Sequence, residues 1–255
     1  MAPPVLWHIE LSHYNEKARW ALDYKGIPHV RRAPTPGLHG AAALWVTRGA
    51  QRRLPVLVLD GRRIGDSTAI IEALEAHQPE PPLYPADPAD RARALELEDF
   101  FDEQLAPAVR TFGWFHAVKD PRLVGASLYS KDPTGRSARV MGRLTPVFKP
   151  LLRFDYNVTE AEAERSLVQI RSAMDRLESE IQPSGYLAGD RFSVADLTAA
   201  ALFTPALLPP ERQYRPATAA PAMQELRSEL EARDGGKWVH EMFARHRGTS
   251  AEVPA

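Results

Sequence analysis

Apolar positions in the first eighty residues change period several times. Val5-Leu6-Trp7-His8-Ile9 is a short apolar run that predicts a strand over 4–10. After Ser12, residues Ala18, Ala21 and Leu22 fall three and four apart, which predicts a helix over about 13–25. Ile27-Pro28-His29-Val30 predicts a second short strand. Residues 34–53 are broken by Pro34, Pro36, Gly37 and Gly49, with one helix expected around 40–47. Leu54-Pro55-Val56-Leu57-Val58-Leu59 is a β-rich run, Asp60-Gly61 a hairpin turn, and Arg62-Arg63-Ile64-Gly65 the partner strand. Asp66-Ser67 opens a helix with inner face Ile70, Ile71 and Leu74, ending near Gln78-Pro79. The order β-α-β-α-β-β-α predicts a small α/β domain over 1–78.

Residues 79–87 carry four prolines and no apolar period, so they read as a linker. From 88 to 246 the pattern is helical. Asp87-Pro88 is a cap followed by proline at the first helical position, and a long helix is expected to about 117. An excursion around 118–157 follows, with a helix near 138–153 that must accommodate Pro146 and Pro150. Thr159-Glu160-Ala161-Glu162 is a capping box, and Leu167, Ile170, Met174, Leu177 and Ile181 continue the helix it opens. Ser193-Val194-Ala195-Asp196 starts another. A last amphipathic helix is expected within 218–246, and 247–255 reads as a flexible tail.

Composition narrows the function. The chain has 255 residues, 44% of them hydrophobic, which suits a soluble protein of one large or two ordinary domains. A net charge of -1 with no basic tract gives no reason to expect nucleic acid or an anionic membrane as partner. No apolar stretch is long enough to span a bilayer, no zinc-type spacing suggests a metal, and the N-terminus does not read as a secretory signal. The absence of cysteine excludes a disulfide framework, a thiolate nucleophile of the protein's own and a CxxC redox couple. A cytoplasmic location is the default expectation.

Candidate chemistry begins at Ser12, on the turn where a strand feeds a helix. The first N–H groups of a helix lack partners and the helix dipole favours negative charge there. The Ser12 hydroxyl can cap its own helix, or join those N–H groups in holding an anion. Leu54-Pro55 at a strand start is either an ordinary trans proline opening an edge strand or a cis bond. Asp66-Ser67 sets a carboxylate, a hydroxyl and a helix N-terminus together, as a simple cap or as a site for an amino acid head group. Ser193 and Asp196 read as a folding nucleus.

Four stretches in this order resemble a cytosolic glutathione transferase of the serine type, similar to theta- and zeta-like bacterial members. They are Ser12-His13-Tyr14-Asn15 with Lys17 and Arg19; Leu54-Pro55; Asp66-Ser67-Thr68-Ala69-Ile70; and Tyr186 through Asp196, which resembles the L-x-G-x-x-x-S-x-A-D stretch of the family's helical domain. The resemblance covers most of 4–78, is sharp again at 186–205 and is only architectural at 88–185. It implies an α/β plus all-α fold, in which a thioredoxin-like domain with a mixed four-stranded sheet precedes an all-helical domain.

The resemblance also implies a thiol site. Ser12 would hydrogen-bond the sulfur of glutathione, with Tyr14 as the alternative hydroxyl. Leu54 and a cis Pro55 would pair with the peptide through an unpaired Leu54 N–H and C=O, while Asp66 and Ser67 would take the γ-glutamyl head group. Arg53 keeps a cation in a loop, Gly49-Ala50-Gln51-Arg52-Arg53, that departs from the family's N-P-x-G-K. His39 is either a further contact, to the glycine carboxylate, or an exposed histidine. The co-substrate would be a hydrophobic electrophile held between the domains, near Phe100, Phe101, Phe112, Trp114, Phe115 and His116, most of which otherwise read as core, with the 118–157 excursion expected to cap the cleft. Detoxifying conjugation by a homodimer without metal is the leading expectation. Isomerisation, dehalogenation, use of another small thiol, and a non-catalytic dimerisation or docking module are the alternatives.

Overall fold

The computed structural model describes residues 2–128, 134–147, 150 and 156–254. Four strands, β1 (Val5–Trp7), β2 (Val30–Arg32), β3 (Val56–Leu59) and β4 (Arg62–Gly65), form one sheet in the order β2-β1-β3-β4. β1 runs parallel to β2 and antiparallel to β3, and β3 runs antiparallel to β4. The sheet is therefore mixed, as its sequence order requires. The second strand begins three residues later than the apolar run suggested, because His29 pairs outside the sheet.

Side chains alternate along a strand, so partners in register share a face. Leu6 pairs with Leu57 and Leu57 with Ile64, and this face packs on α1 (His13–Tyr24) and α3 (Ser67–His77). Val5 with Val58 and Trp7 with Val56 form the opposite face, against which α2 (His39–Thr47) places Ala43 and Val46.

The helical domain begins with α4 (Pro88–Phe100), capped by Asp87, which accepts from Ala89 and Asp90 N–H. The single helix expected to 117 is interrupted by a π turn over Phe101–Leu105 before α5 (Ala106–Ala117). Ala106 N–H reaches back to Phe101 C=O, and Pro107 has no N–H to offer, so the Asp102 carbonyl is left open to a side chain. α6 (Pro121–Leu128) and α7 (Arg136–Arg143) occupy the excursion. They cross closely at Gly125, where a Cβ would meet Ala138 O at 2.1 Å. The helix expected near 138–153 thus starts earlier and ends at Arg143, while 148–149 and 151–155 lie outside the described residues.

α8 (Glu160–Glu180) starts where Thr159 accepts from Glu162 N–H, and α9 (Val194–Leu207) starts at Ser193, whose N–H and Oγ both donate to Asp196. Burial pushes the Asp196 carboxyl up to about 6 against these hydrogen bonds. The last expected helix is two, α10 (Pro221–Glu231) and α11 (Asp234–His246).

α9 packs along α1, and one apolar core runs through both domains. Trp20 of α1 stacks on Phe192 and donates from its indole N–H to His246 O at 3.0 Å. The tail expected to be flexible is instead pinned. Fully buried Arg247 donates to Glu16 at 2.7 Å and Asp23 at 2.8 Å, while His29 N–H donates to Ala251 O and His29 O accepts from Val253 N–H. Two buried carboxylates on α1 demand cations, and the chain end supplies one.

Candidate active site

Ser12 occupies the N-cap of α1 with extended backbone, φ -71° and ψ 131°. Its carbonyl accepts from Glu16 N–H at 2.9 Å, but its hydroxyl makes no capping hydrogen bond. A hydroxyl and a helix N-terminus therefore meet at one point, with the hydroxyl uncommitted among the described residues. Arg212, 3% exposed, comes from the segment after α9 and donates to the neighbouring Leu11 carbonyl at 2.6 Å. Burial pulls its guanidinium down to about 10, which leaves it charged at neutral pH. Nothing local to its sequence marks Arg212 as part of this turn.

His13 and Tyr14 face the helical domain. His13 Nε2 lies 3.1 Å from Ala106 O and donates to it. Burial, with Arg110 and Arg212 nearby, lowers its pKa to about 3, so the ring is neutral. The Tyr14 hydroxyl donates to the Asp102 carbonyl opened by the π turn, at 3.1 Å, and burial raises its pKa to about 12. That proton is already given to the protein and is harder to lose than usual.

The Leu54-Pro55 bond is cis. Asn15, fully buried, accepts from Ile9 N–H at 3.1 Å through Oδ1 and donates through Nδ2 to the Leu54 carbonyl at 3.4 Å. The expectation of an unpaired Leu54 carbonyl is thereby corrected: a buried acceptor beside the turn takes the nearest amide. The Leu54 N–H has no partner among the described residues.

Asp66 holds φ 73° and ψ 139°, a region few non-glycine residues adopt, at the N-cap of α3. One carboxylate oxygen accepts from Thr68 N–H at 2.9 Å and Ala69 N–H at 3.4 Å, so the cap is real; the residue is exposed. Ser67 beside it is 2% exposed. Thr68 joins a buried cluster in which Lys17 meets Glu98 at 2.8 Å and also Asp102. Burial opposes the Lys17 charge, but the two carboxylates outweigh it and raise its pKa; burial pushes Glu98 up despite Lys17. This lock between domains escaped the sequence reading, since charged residues on a helix ordinarily mark its solvated side.

Arg53 is exposed, and its charge and that of Asp66 both reach Tyr14. His39 begins α2 with its pKa lowered by burial, and no described contact joins it to the others. Of the aromatic group, Phe101 and Phe112 are core, while Phe100, Trp114, Phe115 and His116 are half-buried. Among the described residues, no cluster of His, Asp or Glu is placed to hold a metal, and no helix is long and apolar enough to cross a membrane.

Family models described as glutathione S-transferase, N-terminal domain, and glutathione S-transferase, C-terminal domain, match residues 6–82 and 160–231. A probable glutathione S-transferase of Nicotiana tabacum is 29% identical over 106 residues, 42% of this chain and 46% of that protein. FtsZ-localized protein A of Caulobacter vibrioides is 30% identical over 208 residues, 77% of this chain and 74% of that protein. The chain thus spans about half the length of the tobacco relative and most of the other. Among solved structures, the β-etherase LigF from Sphingobium sp. strain SYK-6 superposes with a TM-score of 0.60 at 21% identity, covering 94% of this chain and 99% of that one.

Proposed function

The chain belongs to the cytosolic glutathione S-transferase superfamily, and from that premise we propose that it binds glutathione and stabilises its thiolate with Ser12. The observation that carries the reading is the Ser12 hydroxyl, uncapped at the N-terminus of α1. A free thiol has a pKa of about 8.5, and lowering it by two units takes about 2.7 kcal/mol of preference for the thiolate. One charge-assisted hydrogen bond of roughly 1.5–3 kcal/mol and a helix N-terminus worth roughly 0.3–1 kcal/mol suffice. Charged Arg212 on the adjoining carbonyl adds to the same field.

The remaining groups suit the tripeptide. The second oxygen of exposed Asp66 takes the γ-glutamyl ammonium, and Ser67 with the N-terminus of α3 takes its carboxylate. The Leu54 N–H pairs with the peptide backbone beside cis Pro55. Arg53 serves the glycine carboxylate; His39, neutral, contributes a hydrogen bond at most. Ser12 then holds the sulfur for attack on an alkyl or aryl electrophile seated against Tyr14 and the half-buried aromatic side chains of α4 and α5. The new bond is carbon–sulfur, and the electrophile's leaving group departs with the displaced electron pair. A cytoplasmic homodimer is the expected form, and a monomer in sedimentation at working concentration would contradict it.

A non-catalytic docking module is the second reading, favoured by one fact. Of the two relatives above, the one that aligns across most of the chain is named for its localisation rather than for an activity. Calorimetric titration with glutathione separates the two. Binding in the micromolar-to-millimolar range, weakened by about tenfold in Asp66→Ala, supports the thiol site. No heat with glutathione contradicts it, and titration with other small thiols then tests whether a different one is used.

A further inference from the structure

Strand register leaves one face of the sheet half covered. Val5 and Val58 are partners, Trp7 partners Val56 and Arg32, and Arg63 partners Val58, so all point away from α1 and α3. α2 buries Val56 but leaves Val5, Trp7 and Val58 only half-buried. Between them and α2 lies a groove of about 520 Å³. Its wall is Trp45, which is 72% exposed and meets the Trp7 ring edge-on at 5.8 Å. Ala41 and Trp45, four apart on α2, and Leu38 and Arg48, which flank its two ends, are all exposed. An exposed tryptophan continuing an apolar floor is an unusual way to end a small domain.

The rim has one sign of charge. Arg32, Arg48 and Arg63 line the groove and no carboxylate does. Among the described residues, none of the three pairs with an acid, and Arg32 sits over the Trp7 ring at 5.6 Å. Other arginines do find acids, as Arg31 does with Asp23 and Arg171 with Glu229. In a chain of near-zero net charge, three unmatched guanidinium groups around an apolar floor are a local complement to something acidic and apolar.

We propose that this groove docks an acidic peptide segment of a partner protein, seating one large apolar side chain on the floor of Val5, Trp7 and Val58 beside Trp45. The volume suits a few side chains, and the charges surround a pocket rather than follow a track, which disfavours a nucleic-acid strand. Because the groove is on the sheet face opposite α1 and α3, docking there leaves Ser12 and Asp66 accessible to a thiol.

The test is selection of phage-displayed random peptides of about a dozen residues on the full-length protein, followed by fluorescence anisotropy of the enriched peptides. Enriched peptides should combine net acidity with one aromatic or large aliphatic residue, and should bind less tightly as salt rises. Trp45→Ala and Arg63→Glu, both at exposed positions, should each weaken them at least about tenfold without changing circular dichroism or melting. Any of four results would overturn the proposal: enrichment equal to that on the double variant, enriched peptides without acidic residues, a single-stranded oligonucleotide binding more tightly than the best peptide, or a Trp45-dependent self-dimer that occupies the groove.

Discussion

Asn15 Nδ2 stands 3.4 Å from the Leu54 carbonyl, so the helix that begins at Ser12 is tied directly to the residue before cis Pro55. The same amide receives Ile9 N–H on its other side, so one buried side chain sets β1's exit, α1's start and the proline loop relative to one another. Two parts of the proposed thiol site are 39 residues of chain apart, and Asn15 ties them together.

Asn15→Leu should therefore cost stability and binding together. It strands Ile9 N–H and the Leu54 carbonyl, at about 1–3 kcal/mol for each buried group left unmade. Urea denaturation should show the loss, and the glutathione dissociation constant should rise. Asn15→Asp keeps the acceptor for Ile9 and loses only the donor to Leu54. A variant with wild-type stability and affinity would show that the tie does no positioning.

Tyr14→Phe should retain most thiolate formation. The hydroxyl it removes donates to Asp102 O, and its raised pKa disfavours any proton transfer from it. The expected change is a stability loss of roughly 1 kcal/mol, with conjugation rates within a few-fold of wild type. A collapse of thiolate absorbance at unchanged binding would reassign the activating role to Tyr14.

Much of this frame was legible locally. The Ser12 turn, the Asp66 and Thr159 caps and the capping box at Ser193 each depend on residues within four positions, where pattern and chemistry coincide; at Thr159 only half of the expected box forms, because Glu162 turns to Asn157 and Arg165. The contacts that were not legible are long-range. Asn15 and Lys17 belong to the recognisable Ser12 turn, but nothing near them names their partners, and Arg247 reads as the start of a flexible tail. Each is buried because a partner from 39 to 231 residues away supplies its missing hydrogen bond or counter-charge. The π turn at Phe101–Leu105 likewise takes its sense from Tyr14, which fills the carbonyl it opens.

Stability should fall as pH drops below neutrality. The folded pKa of His13, about 3, lies below its unfolded value of about 6.5, so the unfolded chain binds the extra proton between those limits. Stability tied to this group is complete above pH 6.5 and is lost progressively toward pH 3. His13→Gln should remove up to about 1.4 kcal/mol per pH unit from the slope in that window. Unfolding midpoints followed from pH 3 to 8 check it, and an unchanged slope would show that His13 titrates normally. From about pH 4.5 downward, overlapping the lower part of this window, Glu16, held under the usual carboxylate range by Arg247 and Arg19 against the effect of burial, adds a further acid loss.

Arg247→Met should destabilise the fold by about 3–5 kcal/mol, because it leaves Glu16 and Asp23 buried with one cation fewer. Hydrogen exchange at Val253, whose N–H bonds His29 O, should accelerate in parallel. A chain end that merely lies on the surface would show neither effect.

Ultraviolet difference absorbance of glutathione on the protein reads whether Ser12 turns the bound thiol into a thiolate. Wild type at neutral pH should show the thiolate band, with an apparent thiol pKa about two units below that of free glutathione. Ser12→Ala should still bind glutathione by calorimetry but lose most of that band. Glutathione bound by wild type as the thiol, or an equal band in Ser12→Ala, would contradict the account.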